Sequence, residues 1–241
     1  MPVVQRARHV TGRLVPVLVL VLSLFVLPAA ASNATAPAGP HTVRALFFGD
    51  SIMNGTGARP TRPVMARVAA RALGWDVTVD AFGGTGYTTG GSRGTPYLHR
   101  LSKPGVLNPS YDVVVLEGGT NDRQADLATM HARTTETVQY VRSRLPKAQI
   151  VLMGAFNPRG RRYDARRNAI DGVIRTVAQE QSLPFFSPIA GGWMKGQGGR
   201  FLSSDGLHPS TYGYGVMGAK LASALRRAHV GSSAAAVRRH S

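Results

Sequence analysis

Four short segments carry the residues able to do chemistry: Gly49-Asp50-Ser51-Ile52, Gly83-Gly84-Thr85-Gly86-Tyr87, Gly118-Gly119-Thr120-Asn121-Asp122 and Asp205-Gly206-Leu207-His208. A serine hydroxyl attacks poorly until a base takes its proton. The base is most often a histidine, and the histidine needs a carboxylate to hold its tautomer. Asp205 and His208 lie three residues apart, so one turn of chain can set carboxylate and imidazole side by side, with Ser51 as the nucleophile they would serve. Acyl transfer also needs donors aimed at the developing oxyanion. The Asn121 amide and the backbone N–H of Gly84 can supply them, and Gly83 or Gly86 can take the place of Gly84. Taken singly, each residue has a plainer reading: a capping serine, a surface histidine, an Asx-turn asparagine. Their joint occurrence is what points to acyl transfer.

Such residues act together only if the fold gathers them. Short β-rich runs alternate with helical patterns along the chain. The runs are 43–48, 76–82, 112–116, 149–154 and 184–186, and the helical patterns cover 63–73, 126–145, 163–181 and 210–228. This alternation predicts parallel strands joined by right-handed crossovers, hence an α/β chain folded as a three-layer α/β/α sandwich on a five-stranded parallel sheet. In such sheets, ligands bind off the carboxyl ends of the strands. Three of the four segments directly follow predicted strands, and the fourth follows the last strand through a Gly-rich loop.

The four segments, in this order, resemble the SGNH hydrolases, the GDSL-type esterase and lipase superfamily. Gly49-Asp50-Ser51 is similar to the first block, with Ile52 where the name-giving motif has Leu. Gly84 falls in the Gly-rich second block, whose wording here departs from the commoner Ser-Gly-Asp. Gly119-Thr120-Asn121-Asp122 resembles the third block and Asp205-Gly206-Leu207-His208 the fifth. The likeness runs over about residues 43–225. It implies a flavodoxin-like SGNH hydrolase fold, with Ser51 as nucleophile, His208 as general base and Asp205 orienting it. The Gly84 N–H, the Asn121 amide and the Ser51 N–H would hold the oxyanion. Asp50 and Asp122 would hold their loops. No cofactor is implied. The substrate class is an ester of a lipid, a small molecule or an acylated carbohydrate. An envelope O-acyltransferase of the same fold differs only in its acceptor, and a noncatalytic basic envelope-binding protein is the reading from another class.

Other chemistries lack their motifs. Met53 stands where a Gly-x-Ser-x-Gly elbow needs its second glycine, and no phosphate loop or His-Glu-x-x-His pair occurs. The histidines are scattered, so no metal site is expected. The absence of Cys excludes disulfides and thiolate zinc. The formal charge is +17, and seven of the 29 basic residues lie in the two tails. The remaining surplus either favours an anionic partner, which would be nucleic acid, acidic lipid or a nonspecific anionic envelope polymer, or is a solvated surface with no specific partner. No nucleic-acid motif accompanies it, so none is expected as a ligand, and the oligomeric state is open. Arg159, Arg161 and Arg162, with Arg166 and Arg167, form a basic cluster that either holds an anionic substrate or is simply solvated. Trp193 and Met194 either line an acyl or sugar pocket or pack in the core.

The N-terminal 31 residues have the order of an export signal: Arg6, Arg8 and Arg13, then the apolar 14–27, then small residues allowing cleavage after Ala31. Retention of this segment as an anchor is the alternative. The expected organisation is a signal peptide over 1–31, a linker over 32–41, the catalytic domain over 42–230 and a basic tail over 231–241, in a secreted or envelope protein.

Overall fold

The run Val113–Glu117 has no exposed residue, and such a strand can survive only between two layers that cover both its faces. The computed structural model, which describes Val3, residues 41–158 and residues 164–232, has this arrangement. The chain divides into a unit of residues 1–39 and a unit of residues 40–241, and the second carries the sheet. The proposed signal segment, all but the end of the linker, and residues 233–241 lie outside the described residues.

The strands are β1 (Arg44–Gly49), β2 (Asp76–Ala81), β3 (Val113–Glu117), β4 (Gln149–Met153) and β5 (Phe185–Phe186). They pair in the order β2-β1-β3-β4-β5, all parallel. The helices are α1 (Ser51–Asn54), α2 (Met65–Leu73), α3 (Tyr97–Leu101), α4 (Leu127–Arg144), α5 (Ala165–Glu180) and α6 (Thr211–Arg227). The result is the expected three-layer α/β/α sandwich with the flavodoxin-like strand order.

Alternation along the strands divides the core. Ala45 and Phe47 of β1 face Ile52, Met65, Met217 and Leu221 of α1, α2 and α6. Leu46 and Phe48 face Tyr97, Met130, Val138 and Ile174 of α3, α4 and α5. Each of these large side chains is fully buried, a gain of about 1.5–3 kcal/mol apiece.

Helix ends follow local chemistry. Asp126, Asp164 and Ser210 cap α4, α5 and α6 by accepting from the N–H groups of Thr129, Arg167 and Gly213. The glycines of α6 look like helix breakers in the sequence, but Gly218 has a packing reason. A Cβ there would lie 2.5 Å from the Val68 Cβ, so its absence lets α6 lie directly on α2.

Three details depart from the sequence reading. β3 runs one residue further, to Glu117, because that side chain is buried at the sheet end rather than solvated. The helix expected from Pro63 begins at Met65, after an extended Val64. α1 and α3 have four and five residues, too short to leave a helical periodicity.

Candidate active site

The strand order reverses direction between β1 and β3, and the site forms where it does. Asp50 follows β1 in extended conformation and caps α1, its Oδ1 accepting from Ile52 N at 2.8 Å. This places Ser51 as the first residue of a short helix, 8% exposed, at the mouth of the sheet. The turn behind it is tied down by Tyr214 of α6, whose hydroxyl donates to the Thr56 carbonyl at 2.8 Å.

The segment 203–210 reaches back over Ser51. His208 Nε2 lies 2.9 Å from Ser51 Oγ, and His208 Nδ1 lies 2.7 Å from Asp205 Oδ2. Because Nδ1 faces a carboxylate, it carries the proton, and the free lone pair of Nε2 faces the serine hydroxyl. The other Asp205 oxygen accepts from Ser203 Oγ and from the N–H groups of Leu207 and His208 at 2.8, 2.8 and 2.9 Å. The bond to His208, followed by those backbone donors, holds the Asp205 carboxyl well below the usual range, although this carboxylate is partly exposed. Its orientation is therefore set by hydrogen bonds rather than by burial.

The expected oxyanion donors lie in the loops that border Ser51 and Asp50. Gly84 takes φ of 75°, a left-handed turn suited to glycine, and neither its N–H nor that of Ser51 donates within the described residues. Gly83 also remains available, its Cα placed so that a Cβ would meet Ser51 Cβ at 3.6 Å. Gly86 does not serve, since its N–H donates to the Thr89 carbonyl at 2.8 Å. The Asn121 amide lies at the end of β3, where Nδ2 donates to Asp50 Oδ2 at 3.0 Å and to the Thr85 carbonyl at 2.9 Å. Both of its hydrogens have acceptors in the unliganded site, so an oxyanion would have to share one of them. Asp122 holds the Gly-rich loop, accepting from Tyr87 N, Thr88 N and Thr88 Oγ1.

Two residues that sequence reasoning passed over complete the floor of the site. Arg100 of α3 is buried, and its Nη1 donates to the Gly49 carbonyl and to Thr85 Oγ1, both at 2.8 Å. Its Nη2 pairs with Asp80 at 2.5 Å, and its guanidinium lies 4.2 Å from the Phe48 ring centroid. One side chain thus joins the end of β1, next to the nucleophile, to the loop carrying Gly84. Nothing in the local sequence marks Arg100, because its partners are 51, 15 and 20 residues away.

Glu117 is the second. It is fully buried at the end of β3, and its Oε2 accepts from Asp50 N at 3.2 Å. Its signal in the sequence is an acid that closes an apolar run. Burial, followed by the neighbouring Asp50, raises the Glu117 carboxyl well above its ordinary value. Burial likewise pushes Asp50 up to about 7. Burial thus holds the Glu117 carboxyl in its neutral form, and its Oε1 has no hydrogen-bond partner among the described residues. This pair has a consequence for stability. A carboxyl whose folded value is raised keeps its proton where the unfolded chain has lost it, so its contribution is complete below the unfolded value and is lost as pH rises through the folded value. For Asp50 that window runs from 3.8 to about 7. Melting between about pH 5 and pH 8 should therefore drop less in Glu117→Gln, which removes one of the two titrations, than in the native protein. Equal drops in both proteins would refute a raised Glu117 carboxyl.

The remaining sequence candidates are placed as follows. Residues 159–163, most of the basic cluster, lie outside the described residues. Arg166 donates to the carbonyls of Arg123 and Ala125, and Arg167 pairs with Asp164 at 2.7 Å, so both hold structure. Trp193 is 6% exposed on the α2–α6 side of the core, against which Met194 packs, and its remaining edge lines a cavity of about 470 Å³ with Phe185, Phe186 and Ala190, none of which is a residue of the relay.

Comparisons with known proteins bear on the fold and the family. A lipase from a goat rumen metagenome aligns with a TM-score of 0.59 at 22% identity, covering 76% of this chain and 97% of its own. A lipase/acylhydrolase from Enterococcus faecalis gives 0.61 at 22% identity, covering 78% and 97%. A carbohydrate esterase family 2 enzyme with a carbohydrate-binding domain, from Corynascus thermopiles, gives 0.63 at 22% identity, covering 80% and 68%. At these identities the likeness is one of fold. No curated protein sequence matches the chain. The family model for GDSL-like lipases and acylhydrolases matches residues 47–216, a span from β1 into α6 that contains all four segments. The chain belongs to the GDSL-like lipase/acylhydrolase family, whose chemistry is the hydrolysis of carboxylic esters.

Proposed function

We propose that the protein is an exported serine esterase that cleaves acyl esters, acylated carbohydrates foremost, through a covalent acyl-enzyme. The observation that carries the reading is the unbroken relay from Asp205 Oδ2 through His208 to Ser51 Oγ, at 2.7 and 2.9 Å. Ser51 Oγ attacks the ester carbonyl while its proton passes to His208 Nε2, and Asp205 stabilises the imidazolium. The negative oxygen of the tetrahedral intermediate is held by the N–H groups of Ser51 and Gly84, with a hydrogen of Asn121 shared away from Thr85. His208 then returns the proton to the leaving alcohol as the C–O bond breaks. In the second half, water gives its proton to His208, adds to the acyl carbon, and Ser51 Oγ leaves with that proton as the acid departs. The carbohydrate preference takes support from the fold likeness to carbohydrate esterases. Export takes support from the order of residues 1–31, and a mature protein whose mass begins near Ser32 is the expected result.

The reading is tested with p-nitrophenyl esters of increasing acyl length, run beside acetylated oligosaccharides. Turnover of acetyl esters, with acetate released from the sugars, is expected. Folded protein that turns over none of them would defeat the reading.

A further inference from the structure

The three oxyanion donors hang from three different strand ends: the Ser51 N–H from β1, the Gly84 N–H from β2 and the Asn121 amide from β3. Such donors must stand to within about 0.5 Å of their working positions relative to one another. Local structure does not secure this for Gly84. It lies among Gly83, Thr85 and Gly86, and glycine backbone turns with little resistance. The last backbone bond between β1 and the chain leaving β2 runs from Phe82 N–H to the Gly49 carbonyl at 3.2 Å. Beyond it, no backbone bond among the described residues joins residues 50–56 to residues 83–86.

Arg100 spans this gap. Its Nη1 donates to the Gly49 carbonyl, two residues before Ser51, and to Thr85 Oγ1, one residue after Gly84, both at 2.8 Å. Thr85 is fully buried, and its Oγ1 donates in turn to the Phe82 carbonyl at 2.6 Å. The residues flanking Gly83-Gly84 are thereby held to each other and to the end of β1. The Thr85 carbonyl is also an acceptor for Asn121 Nδ2 at 2.9 Å. The placement of all three donors thus runs through one guanidinium, which Asp80 holds at 2.5 Å beside the Phe48 ring. Stability alone is a poor reason for it, since replacing a buried ion pair by apolar side chains often leaves a protein as stable or more so.

We infer that Arg100, acting through Thr85, is a positioning residue for the oxyanion hole: it sets where the Ser51, Gly84 and Asn121 donors stand. The inference rests on the serine-esterase reading and deepens it. The planar fork is what suits Arg100 to the task, because one nitrogen offers two hydrogens to acceptors on two chains while the other meets Asp80.

The test has three readouts: kcat on p-nitrophenyl acetate, the Ki of phenylboronic acid and the Ki of p-nitrophenyl ethyl ether. The boronic acid adds to Ser51 Oγ as a tetrahedral anion and so fills the oxyanion hole. The ether has no carbonyl and reports binding of the ground state alone. Arg100→Lys keeps the charge and loses the fork, and its kcat should fall about 10²-fold. Thr85→Val keeps the shape and loses the hydroxyl, and its kcat should fall about tenfold, while Thr85→Ser should keep most of the native rate. In Arg100→Lys and Thr85→Val the boronic acid should weaken in step with kcat, and the ether should bind within about twofold of native. Tyr97→Phe removes a buried hydrogen bond from the same helix to the Glu117 carbonyl. It should lower the melting temperature and leave all three readouts near native. Should Arg100→Lys fail to fold, Thr85→Val against Thr85→Ser decides. Native-like kcat in folded Thr85→Val, ether binding lost in parallel with the boronic acid, or an equal loss of kcat in Tyr97→Phe would overturn the inference. Folded native protein that neither hydrolyses the ester nor binds the boronic acid would instead defeat the esterase reading, and the inference with it.

Discussion

Ser51→Ala protein should fold like the native chain and lose ester turnover by about 10⁶-fold in kcat, the scale seen when the nucleophile of such a relay is removed. The change deletes one oxygen whose only side-chain hydrogen bond among the described residues is to His208 Nε2 at 2.9 Å, while the backbone of Ser51 keeps its place at the start of α1. Its carbonyl still accepts from Gly55 and Thr56, and Asp50 still caps the helix. A melting curve matching the native one, together with steady-state rates on a short chromogenic ester, makes the measurement. A residual of about 10³ over the uncatalysed reaction is expected from binding and the oxyanion donors alone. Because Ser51, His208 and Asp205 act as one unit, Ser51→Ala/His208→Ala should cost little more than Ser51→Ala. Near-native turnover in folded Ser51→Ala protein would exclude covalent catalysis by this serine.

Asp205→Asn should lower kcat by about 10⁴-fold with the fold preserved. The amide has nearly the shape of the carboxylate, and its oxygen can still accept from Ser203 Oγ, Leu207 N and His208 N. What changes is the group facing His208 Nδ1 at 2.7 Å. An amide NH₂ there donates, so Nδ1 becomes the acceptor and the ring proton moves to Nε2, which can then no longer take the proton of Ser51. The imidazolium formed during attack also loses its counter-charge. The Asp205 carboxyl is held well below its ordinary value, chiefly by the His208 bond, so in the native enzyme it stays ionised across the working range. A depressed carboxyl contributes stability above its unfolded value and loses it only as pH falls through the folded one. The gap in melting between native and variant protein should therefore be as large in mildly acidic as in neutral buffer and should close only as pH falls below 3.8. Raising the pH should not restore the variant, since the defect is a tautomer rather than a missing ionisation. Recovery of most activity on alkaline titration would show that Asp205 acts by charge alone.

The types of residue that take part, and their place at strand ends, were legible in the sequence. Ser51 and Asn121 follow apolar runs that can only be buried strands, Gly84 follows the alternating run of β2, and a parallel sheet opens its carboxyl edge to ligand. Asp205 and His208 are near neighbours in the chain, so a local turn pairs them wherever the loop goes. Short-range chemistry of this kind is written in spacing.

What spacing does not contain is any contact made across the sheet. Ser51 and His208 meet over a separation of 157 residues, and the sequence supplies only their suitability for each other. The sequence holds no physical ground for taking Gly84 over Gly86, and the backbone bond from Gly86 N–H to the Thr89 carbonyl supplies one. The double commitment of Asn121, to Asp50 and to the Thr85 carbonyl, appears only once β1 and β3 lie side by side. Arg100 and Glu117 had the weakest signals, because a buried charge or acid is defined by what surrounds it, and their surroundings come from β1, β2 and the Gly-rich loop. The types and local pairs followed from chemistry that acts over a few residues, whereas the floor of the site was decided by strand order, which brings the ends of three separate strands within hydrogen-bonding distance of one another.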